Sequence, residues 1–551
     1  MASLNPKVVL YCLLAYVALQ LSRFIFKRFF VRSPLNNLRG PAPKSFLTGS
    51  FEDLFNPKGW AFHNGLSKNY GNAAKIKGVL GDDVLYVFDP LAMRSILLKD
   101  QNSYGLPPNN LQSESHLIFG PGLLGTLGEA HKKQRKMLTP LFSTAHLKDL
   151  VPLFFDVGHK LESALTQRVR NGAQEIDLLS WSGRTALELI AQSALGKSFD
   201  PLTEDTIPHP YAVAAKQLMI VLSKTVVLQN YILPSVMKIG TARFRRFMLD
   251  LLPFRVLHDV KDISDVMHST SVEIYNSNMR ALSEGNDAFI DHITGGKDLI
   301  STLMKSNLTA SKDEKLLEAE ILAQMSSLTF AGTDTTSSAI ARTLWLLSQH
   351  QDVQDKLRDE IREAMLGKTA LSYDELNGLK YLDAVCRELL RLYTPAPMLG
   401  RVARENAALP LSTPLIGVDG QVMHEILVPK GTLVLVSILN HNRNPDLWGL
   451  DAEEFKPERW DNLPEALTDA HTPGVYSNLM TFGGGTRSCI GFKFSQLEMK
   501  VIVSLLINKF KFSLPKDKVI FWNMTNIVSP CVVGDAISAH ARLPLIVEEA
   551  K

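Results

Sequence analysis

The chain has 551 residues, with 59 Lys and Arg against 56 Asp and Glu, a formal charge of +3. With 45% hydrophobic and 21% charged residues, the composition excludes a disordered or low-complexity chain. A mean hydropathy of +0.02 excludes a polytopic membrane protein but allows one anchor. Length alone suggests three or four domains at about 150 residues each. The positive charge is uneven. Seven basic residues (Lys7, Arg23, Lys27, Arg28, Arg32, Arg39 and Lys44) precede Phe51, and no Asp or Glu does, which leaves 52 basic against 56 acidic residues in the remainder. A nucleic-acid binder needs a basic face on its folded domain, so that class is excluded. The four cysteines, Cys12, Cys386, Cys489 and Cys531, fit neither a zinc site nor a disulfide framework and point to a reducing compartment. In that setting the sequons at Asn307 and Asn523 are chance matches.

In chain order, Val8–Phe26 is a nearly continuous apolar run, about 28 Å long as a helix, enough for one bilayer span. The basic residues after it place the following domain in the cytosol. A secretory signal would carry its charge before the run and a small-residue cleavage site after it. Residues 1–32 are therefore expected to be an anchor with a basic flank. Pro34, Gly40, Pro41 and Pro43 make residues 33–50 a stiff hinge, and 51–551 one catalytic domain.

Gly120-Pro-Gly-Leu-Leu-Gly125 formally matches a dinucleotide fingerprint, but Pro121 sits inside the turn and no convincing strand precedes it. His131-Lys-Lys-Gln-Arg135 lies in a helical stretch. No second ligand stands at metal spacing from His131. Ser311 and Glu314 suggest a capping box opening a long helix that runs to about Ser348. Its middle, Ala331-Gly-Thr-Asp-Thr-Thr336, is flanked by Leu328, Phe330 and Ile340 yet holds poor helix formers. A local rule broken inside an apolar helix often marks function. Glu388 and Arg391 share one helix face within 381–393, and Phe455-Lys-Pro-Glu-Arg-Trp460 follows downstream. The sharpest signal is Phe482-Gly-Gly-Gly-Thr-Arg-Ser-Cys-Ile-Gly491. Its glycines let backbone approach a flat ligand. Arg487 and a following helix amino end are expected to favour a Cys489 thiolate suited to binding a metal.

Phe-x-x-Gly-x-Arg-x-Cys-x-Gly, with the other segments in this order, resembles the cytochrome P450 family of haem-thiolate monooxygenases, in the membrane-anchored microsomal form of its fungal branches. The resemblance covers nearly the whole chain. It implies the P450 fold, mainly α with a smaller β-rich part near the amino end, behind a single N-terminal transmembrane helix. It implies Cys489 as axial iron ligand within a haem-binding loop that includes Phe482 and Gly491. Asp334 and Thr335 match the family's acid–alcohol pair for proton delivery. His131, Arg135, Arg401 and Arg487 match haem-propionate contacts, with His131 standing where the family usually has Trp. Glu388, Arg391 and Arg459 match a buried structural charge cluster.

The implied reaction inserts one atom of O₂ into a lipophilic small molecule such as a terpenoid, a fatty acid or an aromatic xenobiotic. No electron-carrier module follows Cys489, so electrons are expected from a separate NADPH-dependent flavoprotein reductase at the endoplasmic reticulum membrane. Lys132, Lys133, Lys136, Lys493 and Lys500 are the expected docking face. Pocket walls are expected from Leu106–Leu124, the helix near Phe330, Pro395–Leu399 and Ile527–Cys531, with Met219–Leu252 dipping into the bilayer. The alternatives are a haem-thiolate isomerase or dehydratase that does not use O₂ and an anchored haem binder without turnover. The Asp334–Thr335 pair argues against both.

Overall fold

The computed structural model describes residues 33–107, 111–203, 209–223, 225, 239–283, 298–524, 526–535 and 541–551. The anchor expected at Val8–Phe26 lies outside the described residues. Among those that are described, no helix is long and apolar enough to cross a membrane.

Two apolar cores organise the chain. The smaller surrounds a five-stranded sheet of β1 (Ala73–Lys77), β2 (Asp83–Val87), β3 (Tyr104–Gly105), β4 (Met398–Ala403) and β5 (Leu433–Ser437). Its order is β1-β2-β5-β4-β3, with β2 and β5 parallel, Val84 opposite Leu433, and every other pair antiparallel. The β-rich part is thus only half amino-terminal, because two of these five strands come from residues 398–437. Residues 33–50 pack on this sheet. Leu35 and Leu38 are buried in its core, and the Arg39 carbonyl accepts from the Lys75 N–H (3.0 Å).

The larger core is helical. Six of its helices matter for the site: α1 (Gly128–Leu138), α2 (Thr144–Val169), α3 (Leu178–Ile190), α4 (Glu318–Gln349), α5 (Lys380–Leu392) and α6 (Phe492–Lys509). At 32 residues α4 is about 48 Å long, and it is buried around most of its circumference, packed against α3, α5 and α6. Such burial explains its near-absence of charge after the first turn. The expected capping box at Ser311 is not where α4 begins. Ser311 instead closes a turn, its carbonyl accepting from Glu314 and Lys315 (3.0 and 2.9 Å). The helix starts at Glu318, where the Glu320 carboxylate accepts the exposed Leu317 N–H (2.8 Å) and satisfies one orphan donor of the first turn. Asn307 is buried and bonded to the backbone of Leu316 (2.7 and 3.0 Å), a structural role that fits a chance sequon.

Gly332 has a packing reason as well as a place in the functional motif. A Cβ there would stand 3.0 Å from the Ile190 side chain, so the glycine lets α3 and α4 cross closely. Of the Met219–Leu252 region, 226–238 lies outside the described residues. Ala242–Asp250 is a helix with no buried residue, and Phe244, Phe247 and Met248 are exposed beside Arg243, Arg245 and Arg246.

Candidate active site

A strand, Leu479–Gly484, delivers the chain into the cysteine loop. Gly483 and Gly485 take φ of 65° and 70°, the left-handed region open to glycine at little cost. At Gly485 a Cβ would lie 1.9 Å from the Leu97 carbonyl, so no other residue fits. The loop closes through the Cys489 N–H to the Phe482 carbonyl (2.8 Å) and the Ser488 N–H to the Gly485 carbonyl (3.1 Å). Gly491 then caps α6. The Phe482 ring lies between those of Tyr476 and Phe492, with centroids 5.6 and 6.0 Å away.

The Cys489 residue is open to solvent, yet its thiol is surrounded by protein, so it faces an internal recess. Burial pushes the thiol pKa up, against the Gly491 N–H and the charge of Arg135. The expectation that Arg487 would favour the thiolate is therefore corrected on two counts. The neighbouring cation is Arg135, and desolvation outweighs it. In the polypeptide alone the thiol is favoured, and a bound metal would be needed to hold the sulfur deprotonated.

Around this recess lies a set of cations. The inner face of α1 presents His131, Gln134 and Arg135. Arg135 donates to the Ser488 carbonyl (2.8 Å) and hydroxyl (3.0 Å), beside Cys489. Arg487 donates to the carbonyls of Thr126 (2.5 Å) and Leu123 (3.4 Å). Arg401 on β4 is buried, with the adjacent Gly400 carbonyl as its acceptor (2.8 Å). Burial, followed by the charges of Arg401, Arg135 and Arg404, holds Arg487 down at about 10. Burial alone does the same for Arg401. Burial and the charges of Arg487 and Arg135 take His131 down to about 4, so it is neutral at physiological pH and carries one N–H. Among the described residues no carboxylate pairs with Arg135, Arg401 or Arg487. Buried and half-buried cations that repel one another and have no carboxylate partner among the described residues fit a ligand that brings carboxylates. With a recessed thiol beside them, they fit the two propionates and the metal of haem.

On α4, Thr335 and Asp334 are half-buried whereas Thr333 and Thr336 are buried. The Thr335 hydroxyl donates to the Ala331 carbonyl (2.8 Å), and Thr329 and Thr333 back-bond in the same way to Met325 and Thr329. This keeps the helix continuous through its polar middle while Thr335 stays accessible on one side. Phe330, one turn earlier, packs on Phe119 (centroids 5.0 Å apart), so two of the expected apolar walls meet. Residues 108–110 of the first wall lie outside the described residues. The Gly120–Gly125 segment follows a helix, Leu111–Ile118, and not the strand a dinucleotide site requires.

The cluster of Glu388, Arg391 and Arg459 forms. Glu388 and Arg391 are 0% exposed and joined by two bonds (2.9 and 2.8 Å). Arg459 reaches Glu388 at 3.3 Å. Sequence reasoning missed the rest. Asp451 takes the outer face of Arg459 (2.6 Å), and the Trp460 indole and the Lys456 N–H donate to Glu388 (3.1 and 3.0 Å). Asn442 links this cluster to the cysteine loop. Its carbonyl accepts from Arg391 (3.1 Å), and its side chain bonds the Met480 N–H and the Thr481 hydroxyl (both 2.9 Å). Trp460 was visible in the quoted segment, but nothing in the sequence marks Asp451 or Asn442.

One expected docking residue is corrected. Lys500 is 2% exposed, bonded to Asp383 (2.7 Å) and Asn377 (2.8 Å), because its position on α6 faces α5 rather than solvent. Lys132 and Lys136 pair with Glu129 and Glu314 at the surface, and the half-buried Lys133 pairs with the buried Glu320.

A mainly helical fold with a mixed sheet, a recessed thiol and an anion-seeking rim defines a haem protein. The chain matches the Cytochrome P450 family model over residues 41–530, and it belongs to that family. It is 46% identical over 530 residues to cytochrome P450 monooxygenase 91 of Postia placenta, covering 96% of each chain. It is 43% identical over 518 residues to a ganoderic acid synthetase of Ganoderma lucidum, covering 93% of this chain and 94% of that one. To a cytochrome P450 monooxygenase of Hericium erinaceus it is 36% identical over 528 residues. The protein is a monooxygenase, and its cofactor is haem.

Proposed function

We propose that the protein oxygenates a lipophilic small molecule at a haem held by Cys489, using electrons from a separate NADPH-dependent reductase. The observation that carries this reading is the recessed thiol beside arginines that, among the described residues, pair with no carboxylate. Haem bound through a thiolate supplies the activation of dioxygen and the insertion of one oxygen atom. The chain does the rest. Arg135 pins Ser488 and so fixes the approach of the Cys489 sulfur. Arg401, Arg487 and neutral His131 hold the anionic edge of the cofactor. Thr335 would hold a proton at Oγ1, and Asp334 would supply the next one. Apolar walls near Phe119 and Phe330 exclude water and favour a lipophile.

The substrate class stays within terpenoids, fatty acids and aromatic compounds. One relative is named for the synthesis of ganoderic acid, which makes compounds of that type the first to assay. The bilayer reading rests on the basic tail and on the exposed Phe244, Phe247 and Met248 beside three arginines, a composition suited to the membrane interface. Flotation with liposomes, lost in Phe244→Ser/Phe247→Ser together with loss of residues 1–32, tests it. Lys132, Lys133, Lys136 and Lys493 remain the docking face, and the first electron transfer should slow in Lys132→Glu/Lys136→Glu. Unchanged salt-dependent reduction kinetics would refute that part.

The central test is spectroscopic. The reduced protein with carbon monoxide should show the thiolate-type Soret band, and Cys489→Ser should abolish it. Retention of the band in that variant overturns the assignment.

A further inference from the structure

The Gly120–Gly125 segment is not a nucleotide site, yet it is built with unusual care. It is pressed onto α4. A Cβ at Gly122 would lie 2.8 Å from the Ser327 hydroxyl and 2.9 Å from the Ala323 carbonyl, and one at Gly125 would meet the His116 backbone at 3.0 Å. Two glutamines that are 0% exposed hold it there, Gln134 from α1 and Gln324 from α4. The Gln134 amide nitrogen uses both hydrogens, to the Pro121 carbonyl (2.8 Å) and to the Glu320 carboxylate (2.9 Å). Its oxygen accepts from the Gln324 amide (2.9 Å) and lies 3.3 Å from the Thr126 hydroxyl. The Gln324 oxygen accepts the Leu123 N–H (3.1 Å). With donors and acceptors matched in this way, neither amide can flip without losing bonds.

The far ends of these bonds are the same two residues that receive Arg487. Leu123 is held by its N–H and offers its carbonyl to Arg487. Thr126 is held by its hydroxyl, whose single hydrogen is shared between the Gly122 carbonyl (3.1 Å) and the Gln134 oxygen (3.3 Å), and offers its carbonyl likewise. Arg487 itself stands two residues before Cys489 and takes part in the cationic rim. We propose that Gln134 and Gln324 are positioning residues for Arg487, fixing the two carbonyls that aim its guanidinium at the anionic edge of the cofactor. The inference rests on the reading of the rim given above and deepens it by naming what holds the rim in place. Neither glutamine touches the reacting atoms.

The test pairs a measurement on the haem-free chain with one on the loaded protein. Gln324→Met keeps the volume and removes both bonds. In the apoprotein, hydrogen exchange at the Leu123 amide should quicken by about tenfold, the loss of one buried bond. In the ferric protein, haem transfer to a haem-free globin should quicken by roughly fivefold to tenfold. In an Arg487→Gln or Arg487→Lys background the same substitution should add less than about twofold, because residues acting through one group are not additive. Equal acceleration with and without Arg487 makes the glutamines merely structural and overturns the proposal, as does no acceleration in the native background. Gln134→Met serves as the second variant should Gln324→Met fail to fold. The carbon monoxide spectrum of the unaltered protein judges the reading of the rim separately from this coupling.

Discussion

Two groups of arginines lie near the cysteine loop, and they are finished differently. Arg391 and Arg459 meet Glu388 and Asp451, and the remaining guanidinium hydrogens go to the carbonyls of Asn442, Ala452, Glu454, Trp448 and Asp451. Arg135, Arg401 and Arg487 meet carbonyls and a hydroxyl but, among the described residues, no carboxylate. Burying a charge is costly until a counter-charge offsets it. The first group is therefore complete in the polypeptide, whereas the second is completed by a ligand. The same residue type supports the fold where it is buried with carboxylates, and binding where it lines the recess without them.

Breaking the complete group should have the largest effect. Glu388→Gln leaves the fully buried Arg391 without its anion and Arg459 with Asp451 alone, and should cost about 3–5 kcal/mol. Denaturant unfolding of the haem-free protein reads this directly, and a loss under about 1 kcal/mol would place the cluster among replaceable surface pairs. The incomplete group should respond in the opposite sense. Arg487→Gln removes one of several mutually repelling cations, so the apoprotein should keep or raise its melting temperature. Haem affinity should fall by roughly one to two orders of magnitude, the worth of a hydrogen bond to a charged group. A destabilised apoprotein with unchanged haem retention would erase the distinction between the two groups.

Glu498 on α6 supplies a third case. It is fully buried, and among the described residues neither carboxyl oxygen has a partner, so burial pushes its pKa well above the usual 4.5. The folded chain keeps a proton that the unfolded chain releases, so stability falls as pH rises above about 4.5. Glu498→Met should therefore raise stability at neutral pH by about 1–3 kcal/mol, the penalty of an unsatisfied buried polar group. The gain should shrink as pH falls towards 4.5, which thermal melts at pH 5 and pH 8 would show. The smallest expected effect is that of His131. Burial takes its pKa in the folded chain to about 4, below the usual 6.5, so it adds acid lability as pH drops from 6.5 to about 4. His131→Gln should flatten the melting curve against pH across that window, although the buried His63 and His441 share it.

Much of this was legible in the sequence because it is local. The cysteine loop carries its chemistry within ten residues, and the polar middle of α4 breaks a helical rule that single residues reveal. The i, i+3 pairing of Glu388 with Arg391 is likewise set by one helix. What was missed depends on tertiary contact. Asp451 and Asn442 acquire their roles only when distant segments meet. Lys500 looked like surface charge until α6 packed against α5. The thiol of Cys489 was expected to ionise because its sequence neighbour is Arg487, but folding turns that guanidinium towards Leu123 and Thr126 and brings Arg135 in from α1.

The parallel pairing of β2 with β5 has a consequence for how the chain is made. Val87 is synthesised 349 residues before its partner Val436. At about 5–20 residues per second, β2 waits roughly 18–70 seconds on the ribosome with one edge unpaired. During that interval the apolar Val84–Val87 segment is a template for pairing with other chains. The yield of this enzyme in a cell should therefore depend on what shields one short strand during translation, well before haem or substrate is encountered.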